Sequence, residues 1–227
     1  MTQLLISVTS VEEAQIALEN GADIIDLKDP AAGALGALPL MQIKSVVDYV
    51  KVHGSEETLT SATIGDLPMQ PALILEHVKQ LLKTNVDIVK IGFFEAESYQ
   101  PCLEALSSVT QVGVKLIAVL FAEYTYSNDL IDAIKNAGFI GVMLDTAEKN
   151  GLTLLDHYSA EQCQEFSRYV LSMGLSFGLA GSLRLQHVKI MKELRPTYLG
   201  FRGGVCAENQ RELSLNAEKI SAIRKAL

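Results

Sequence analysis

Two lysines interrupt stretches of the sequence that otherwise consist of apolar residues. Lys28 follows Asp26 by two positions in DIIDLKDP (23–30), and Lys90 lies in DIVKIGF (87–93). Because side chains two positions apart in a β-strand point to the same side, Asp26 and Lys28 should share one face. A buried charge is costly unless it is paired, so charges at these positions indicate a functional site.

The chemistry open to a crowded lysine is nucleophilic attack on a carbonyl carbon. Burial and neighbouring ammonium groups lower the pKa of an amine, and a neutral amine can form a Schiff base with an aldehyde. A second lysine or a nearby carboxylate can then move protons during carbon–carbon bond formation. Further candidates are Asp145 at the end of FIGVMLD and Lys149 in DTAEKNG. The predicted catalytic residues are Asp26, Lys28, Lys90, Asp145 and Lys149.

Eight short apolar runs alternate with helical segments and supply the elements that would position this cluster. Most runs are continuously apolar, as expected of parallel strands that are covered by helices. Ser10 with Glu13 and Ser159 with Gln162 predict helix starts, and residues 213–227 predict a closing amphipathic helix. The predicted strands are 4–8, 23–28, 58–64, 87–93, 114–122, 139–145, 175–181 and 198–203.

Eight strand–helix units in 227 residues predict a single α/β domain, a (β/α)8 TIM barrel spanning residues 1–227. A doubly wound open sheet is the alternative, but it often carries a glycine-rich turn after its first strand, and that junction here reads SVTSVEE. Active sites of (β/α)8 barrels lie at the C-terminal ends of the strands. The barrel would therefore bring the two lysines and Asp145 to one opening, together with Asp66, which follows the third strand.

Small residues follow the seventh and eighth predicted strands in pairs. LAGSLR places Gly181 and Ser182 after the seventh strand, and FRGGVC places Gly203 and Gly204 after the eighth. Loops at these two positions of a barrel often bind phosphate, because glycine lets backbone amides approach oxygen atoms closely. The four residues therefore predict a phosphate-binding site, although each pair alone would also suit a tight turn. The direction of the Arg202 side chain stays open.

Composition narrows the classes of ligand and partner. The formal net charge of −8 argues against non-specific nucleic-acid binding but leaves room for a locally positive site. The three cysteines lack paired spacing and fit a reducing cytoplasm, and Cys206 is expected to be a small buried residue rather than a nucleophile. The N-terminal apolar run is too short for a signal peptide or a membrane span.

No metal or cofactor is expected, because the sequence contains no histidine–carboxylate metal motif. Three histidines fall on predicted helices and the fourth near a helix start, where surface or structural roles are typical. These are His53, His77, His187 and His157. We expect a cytoplasmic enzyme that does not contact membranes. A homo-oligomer is compatible with the sequence.

Seven strings together resemble the (5-formylfuran-3-yl)methyl phosphate synthase family, the furan-forming enzymes of methanofuran biosynthesis in methanogenic archaea and of a related cofactor in C1-metabolising bacteria. In chain order they are GADIIDLKDP, GALGA, ATIGD, VKIG, MLDTAEKNG, LAGSLR and GFRGGVC, and they extend from about the first strand to the last helix. The resemblance implies a (β/α)8 barrel that condenses two molecules of D-glyceraldehyde 3-phosphate, with loss of phosphate and water.

The resemblance also implies roles for individual residues. Lys28 would form the Schiff base and Lys90 would accept a proton. Asp26, Asp145 and Lys149 would line the site, and the glycines after strands seven and eight would hold the phosphate of a triose substrate. One stretch departs from the family pattern: AENQRE follows the cysteine where the family is richer in glycine and arginine, and Arg211 is the candidate replacement for that basic group.

Three other functions compete with this one. A class I aldolase acting on another sugar phosphate would use the same lysine chemistry and give a different product. A decarboxylase with an Asp-x-Lys-x-x-Asp array is disfavoured, because Ala31 occupies the final acidic position. A non-catalytic sensor of phosphorylated metabolites would keep the glycine loops but would gain nothing from two lysines in strands.

Overall fold

Strands and helices alternate along the chain. The computed structural model of the protein describes residues 2–227, apart from the side chain of Asn128. The strands are β1 (Gln3–Val8), β2 (Ile24–Leu27), β3 (Leu59–Thr63), β4 (Ile88–Gly92), β5 (Leu116–Phe121), β6 (Gly141–Asp145), β7 (Ser176–Leu179) and β8 (Tyr198–Phe201). The helices are α1 (Val11–Glu19), α2 (Leu40–His53), α3 (Pro71–Leu82), α4 (Gln100–Thr110), α5 (Asn128–Asn136), α6 (Leu154–His157), α7 (Ala160–Ser172), α8 (Val188–Glu193) and α9 (Ala217–Ala226).

The eight strands form one closed parallel sheet in chain order, in which β8 pairs with β1. This confirms the predicted (β/α)8 barrel and excludes the doubly wound sheet, because an open sheet would leave two unpaired edges. All eight predicted strands are present, and each begins and ends within two residues of the predicted bounds. No helix within residues 2–227 has both the length and the apolar character needed to cross a bilayer.

Both helix starts predicted from capping signals are present, directly after Ser10 and Ser159. Ser159 and Gln162 cap α7 reciprocally, as predicted. The Ser10 side chain accepts a hydrogen bond from the Glu13 amide at the start of α1. The Glu13 carboxylate does not complete the capping box, because it accepts from the Thr9 amide and from Arg202. The closing helix begins at Ala217, four residues later than predicted, because Leu215 is held in a β-bridge with Cys206.

The inside of the barrel is divided between apolar and polar side chains. A cluster that includes Leu5, Ile24, Ile88, Ile117 and Met143 fills the interior. Strand register then places the serine and aspartate of β1, β2 and β3 side by side, since Ser7 is opposite Asp26 and Asp26 is opposite Ser61. The polar residues of the site therefore rest on a packed apolar floor.

Candidate active site

Asp26 is the centre of a buried polar network on β1 to β4. Its side chain is fully buried, and its Oδ1 lies 2.7 Å from Nζ of Lys90. The hydroxyl of Ser7 donates to Oδ2 at 2.9 Å, and that of Ser61 donates to Oδ1 at 2.6 Å. Each carboxylate oxygen therefore has a hydrogen-bond donor inside the protein, which offsets the loss of water.

The charged form of Asp26 is favoured despite its depth. Burial by itself raises the pKa of a carboxyl group, but the ammonium groups of Lys90 and Lys28, with hydrogen bonds from Lys90 and Ser61, outweigh it. The pKa of Asp26 therefore lies below its ordinary value, and the group is a carboxylate at neutral pH.

Lys28 follows the last residue of β2 and carries an activated amine. The pKa of this amine is lowered from 10.5 to about 8, mainly by burial and in smaller part by the nearby charges of Lys90 and Lys149. Asp145 opposes this shift, with its Oδ2 at 3.9 Å from the Lys28 Nζ atom. With a pKa of about 8, roughly a tenth of the amine is neutral at pH 7, a few hundred times more than for an ordinary lysine.

Asp145 joins Lys28 to a second lysine at the end of β6. The Lys149 ammonium donates to Asp145 Oδ1 at 2.9 Å, to the Thr146 carbonyl at 2.6 Å and to the Thr146 hydroxyl at 2.9 Å. Burial raises the pKa of Asp145, but Lys149, Lys28 and the Thr146 amide together bring it far below its ordinary value. Asp145 is thus an ionised link between two cations.

A cavity of about 620 Å³ opens at the C-terminal ends of the strands. Every predicted site residue except Lys90 lines it, and Asp66, Arg184 and Arg211 line it as well. Lys90 is 1% exposed and lies behind Asp26. The structure therefore brings the predicted residues together, with Lys90 reaching the cavity only through Asp26.

The small residues after β7 and β8 line this cavity and include backbone amides without a hydrogen-bond acceptor in the described part of the chain. Within residues 2–227, the amides of Ser182, Gly203 and Gly204 donate no hydrogen bond to a protein atom in the loops they occupy. Ser182 is held at a φ of +52°, which is uncommon outside glycine and is found at functional sites. The geometry is compatible with the predicted phosphate site.

The glycines also have a packing role. A Cβ atom on Gly204 would lie 2.2 Å from the Leu183 carbonyl oxygen, so the loops after β7 and β8 touch at this point. A Cβ on Gly203 would meet the Asn209 carbonyl oxygen at 3.3 Å, a tighter contact than most side chains make. Two separate reasons therefore favour glycine at positions 203 and 204: the loops pack closely there, and a phosphate needs access to the backbone amides.

Arg202 borders the cavity, but its guanidinium is engaged within the protein, which makes it a structural residue. Its Nη1 and Nη2 atoms lie 2.5 and 3.1 Å from the two carboxylate oxygens of Glu13 in α1. Cys206 is buried, its thiol donates to the Arg202 carbonyl, and burial raises the pKa of the thiol. Both observations fit a buried structural cysteine rather than a nucleophile.

Several residues of the site were not singled out from the sequence. Ser7 and Ser61, the partners of Asp26, are buried residues of β1 and β3, and strand register rather than a local sequence pattern places them beside Asp26. Asp66 follows the third strand, as predicted, and its carboxylate accepts hydrogen bonds from the amides of Ala34 and Leu35, both at 2.8 Å. It therefore fixes the loop after β2 while lining the cavity.

Metal-ligating side chains are not grouped in the part of the chain that the structure describes. Among residues 2–227 no set of three histidine, cysteine or carboxylate side chains is placed to hold an ion. Of the histidines, His157 lies 4.0 Å from Glu123, whose carboxylate accepts from the amides of Ala147 and Glu148. That arrangement orders the loop after β6.

Comparison with known proteins points to one family. The family described as 4-HFC-P synthase matches residues 4–224. A protein of Methanococcus maripaludis (strain C6 / ATCC BAA-1332), named (5-formylfuran-3-yl)methyl phosphate synthase, is 34% identical over 220 residues, covering 92% of this chain and 91% of that one. A protein of Archaeoglobus fulgidus with the same name is 31% identical over 236 residues and covers 99% of both chains.

Solved structures agree on the architecture. The crystal structure of a 3-hexulose-6-phosphate synthase superposes with a TM-score of 0.69, and the match covers 100% of both chains. The sequence identity is 15%, so this likeness concerns the fold alone.

Proposed function

Because this chain belongs to the 4-HFC-P synthase family, we propose that it forms (5-formylfuran-3-yl)methyl phosphate from two molecules of D-glyceraldehyde 3-phosphate, as a lyase of methanofuran-type cofactor biosynthesis. The observation that carries the proposal is the amine of Lys28. It lines the cavity with a pKa of about 8, close to two further cations and two carboxylates. A partly neutral, buried amine in the same cavity as the predicted phosphate site is suited to Schiff-base chemistry on a phosphorylated aldehyde.

The first step is imine formation on Lys28. Its Nζ attacks the aldehyde carbon of one triose phosphate, and the carbonyl oxygen departs as water. That oxygen needs a proton, and the Lys149 ammonium, which is held 2.9 Å from Asp145, is the proposed donor. Asp145 stays ionised and stabilises the positive charge that develops on the imine nitrogen.

The second step is removal of a proton from the carbon next to the imine. Asp26 lines the cavity, and Lys90 lies directly behind it at 2.7 Å. Because Lys90 is an ammonium in this pair, it cannot take up a proton itself. We therefore propose that the Asp26 carboxylate accepts the carbon-bound proton in place of Lys90, the predicted acceptor, and that Lys90 keeps Asp26 ionised beforehand. The two residues then work as one acid–base unit, and such groups typically contribute about 10²–10⁴-fold to a rate.

The remaining steps build the ring. The enamine attacks the aldehyde carbon of the second triose phosphate, and cyclisation, loss of water and elimination of one phosphate give the aromatic furan. The C–N bond to Lys28 breaks with the amine as leaving group, which returns the free lysine. A cavity of about 620 Å³ falls within the range of small-molecule sites. The amides of Ser182, Gly203 and Gly204 are the proposed donors to the phosphate of the triose bound to Lys28.

The test is incubation with D-glyceraldehyde 3-phosphate alone, followed by the furan chromophore and by released phosphate. Both should appear with the wild-type protein and persist in the presence of a chelator. Borohydride added during turnover should leave one adduct, on Lys28. Lys28→Met should abolish product and adduct, whereas Lys44→Met, in an exposed pair with Asp48, should change neither.

The outcomes separate this proposal from its rivals. A different condensation product with the same Lys28 adduct would identify another class I aldolase. Binding of the triose phosphate without turnover or adduct would identify a sensor. An adduct on Lys90 instead of Lys28 would reverse the assigned roles of the two lysines.

A further inference from the structure

The loop after β8 forms an arm over the cavity, comprising residues 206–215. Two cations hold this arm by its backbone. Arg202 donates to the carbonyl oxygens of Arg211 at 2.7 Å and Leu213 at 3.2 Å. Lys219 of α9 donates at 2.8 Å to the Cys206 carbonyl and at 2.8 Å to the Asn209 side chain. The arm is thus anchored at both of its ends.

The arm is held in a conformation that free loops rarely adopt. Glu208 and Asn209 are consecutive residues with φ of +51° and +58°, in the left-handed region. Non-glycine residues in this region are strained and persist where the surroundings determine their conformation. Here the anchor is the Arg202 guanidinium, which is itself fixed by the Glu13 carboxylate. The position of the next residues along the arm, including Arg211, is therefore set by the barrel.

Arg211 extends from this arm across the mouth of the barrel. Its Cβ lies near Gly203, since a Cβ built on that glycine would be 3.7 Å away. Its Nη2 donates at 2.9 Å to the carbonyl oxygen of Gly33, in the loop after β2. The guanidinium therefore lies beside the β2 loop, while the glycine amides occupy the β7–β8 side of the same cavity.

The guanidinium of Arg211 has donors to spare. Its Nε is buried and has no hydrogen-bond partner within residues 2–227. Across the same residues, none of the ion pairs within 4.0 Å includes Arg211, although it lines the cavity. The nearby carboxylate of Asp66 is already engaged by the amides of Ala34 and Leu35. A guanidinium that forms no ion pair within 4.0 Å in the described residues and keeps free N–H groups is suited to a phosphate dianion.

We infer that Arg211 forms a second phosphate-binding subsite, which holds the phosphate of the second triose phosphate while the glycine amides hold that of the first. The inference rests on the proposed function in one respect: a reaction that joins two phosphorylated trioses must place two dianions in one cavity. The guanidinium lies on the β2 side of the cavity and the glycine amides on its β7–β8 side, which would hold the two charges at separate positions.

Equilibrium dialysis with radiolabelled inorganic phosphate tests the subsite directly on the full chain. The wild-type protein should bind two phosphates, and Arg211→Met and Arg211→Gln should bind one. Glutamine removes the charge but keeps an N–H group that can donate to Gly33, so it separates phosphate binding from bracing of the two loops. Arg168→Met, an exposed arginine on α7, is the matched control and should bind two.

Each outcome decides the question. One or no bound phosphate in the wild type, or two in both Arg211 variants, would overturn the inference. Two in Arg211→Gln and one in Arg211→Met would show that Arg211 only braces the loops. Thermal unfolding of each variant checks that the chain is folded.

Kinetics separate this inference from the proposed function. The Arg211 variants should need at least tenfold more glyceraldehyde 3-phosphate for half-maximal furan formation, with the yield of the borohydride adduct on Lys28 unchanged. A wild-type protein that binds two phosphates and makes no furan would refute the proposed function while leaving the subsite in place. Normal furan kinetics in both variants would refute the subsite alone.

Discussion

The Nζ atom of Lys90 lies 2.7 Å from Oδ1 of Asp26, and the two side chains are 1% and 0% exposed. Only Asp26 lines the cavity. The two charges therefore neutralise each other inside the barrel, and removal of either one leaves the other buried without its main counter-charge. This relationship governs both the stability of the barrel and the proposed proton transfer.

Lys90→Met should destabilise the protein by about 3–5 kcal/mol, because it leaves the Asp26 carboxylate buried without its main counter-charge. Furan formation should fall by about 10²–10⁴-fold, the typical contribution of an acid–base group. Chemical unfolding and product rate, measured on the same preparation, check the two effects together.

The double variant Asp26→Asn/Lys90→Met is the control for that experiment. It removes both charges, and the asparagine still accepts a hydrogen bond from a neighbouring serine, so much of the lost stability should return. Activity should stay low in both variants. A stable, fully active Lys90→Met protein would contradict both the pairing argument and the catalytic role of Lys90.

The pH dependence of imine formation should follow the environment of Lys28. The neutral amine is the nucleophile, so trapping by borohydride should rise as the pH approaches about 8 and level off above it. Lys149→Met removes a charge that lowers the Lys28 pKa, so its profile should move to higher pH. Asp145→Asn removes the carboxylate that raises this pKa, so its profile should move to lower pH.

Opposite displacements of the two profiles are the diagnostic result. Parallel shifts, or none in either variant, would show that the measured profile belongs to a group other than Lys28. Trapping should be measured at a fixed low concentration of triose phosphate, so that binding and imine formation are not confused.

Gly203→Ala and Gly204→Ala form a matched pair at the predicted phosphate site. A Cβ on Gly204 would lie 2.2 Å from a backbone oxygen, so this variant should lose about 1–3 kcal/mol of stability through overpacking. At Gly203 the nearest contact is 3.3 Å, so a folded protein with a raised KM is expected. Melting temperature and KM, compared between the two variants, distinguish packing from phosphate binding; equal melting temperatures would refute the packing argument.

The sequence predicted the barrel and most of the site because both follow local rules. The period of two placed Asp26 and Lys28 on one face, and the strand ends located Asp145. The pairing of Lys90 with Asp26 could not be read in this way, since it depends on the register of strands β2 to β4. The direction of Arg202 depended on Glu13, which lies 189 positions away in the chain.

Lys28→Met should stabilise the protein, with a gain that depends on pH in a defined sense. The Lys28 pKa is about 8 in the folded state, against 10.5 for an ordinary lysine, so the amine binds its proton more weakly in the folded protein than in the unfolded chain. The folded state is therefore destabilised at every pH at which the unfolded chain carries this proton. The free energy of unfolding is reduced by about 3 kcal/mol below pH 8, and this reduction disappears as the pH rises towards 10.5.

The Lys28→Met variant should therefore be more stable than the wild type at pH 7 by up to about 3 kcal/mol, and the difference should narrow steadily between pH 8 and pH 10.5. Asp145 keeps its 2.9 Å pair with Lys149 in this variant, so no carboxylate is left without a counter-charge. Unfolding in urea at several pH values gives the measurement. A variant less stable than the wild type at pH 7 would show that Lys28 stabilises the folded state. It would contradict the argument that burial of this catalytic amine lowers the stability of the protein.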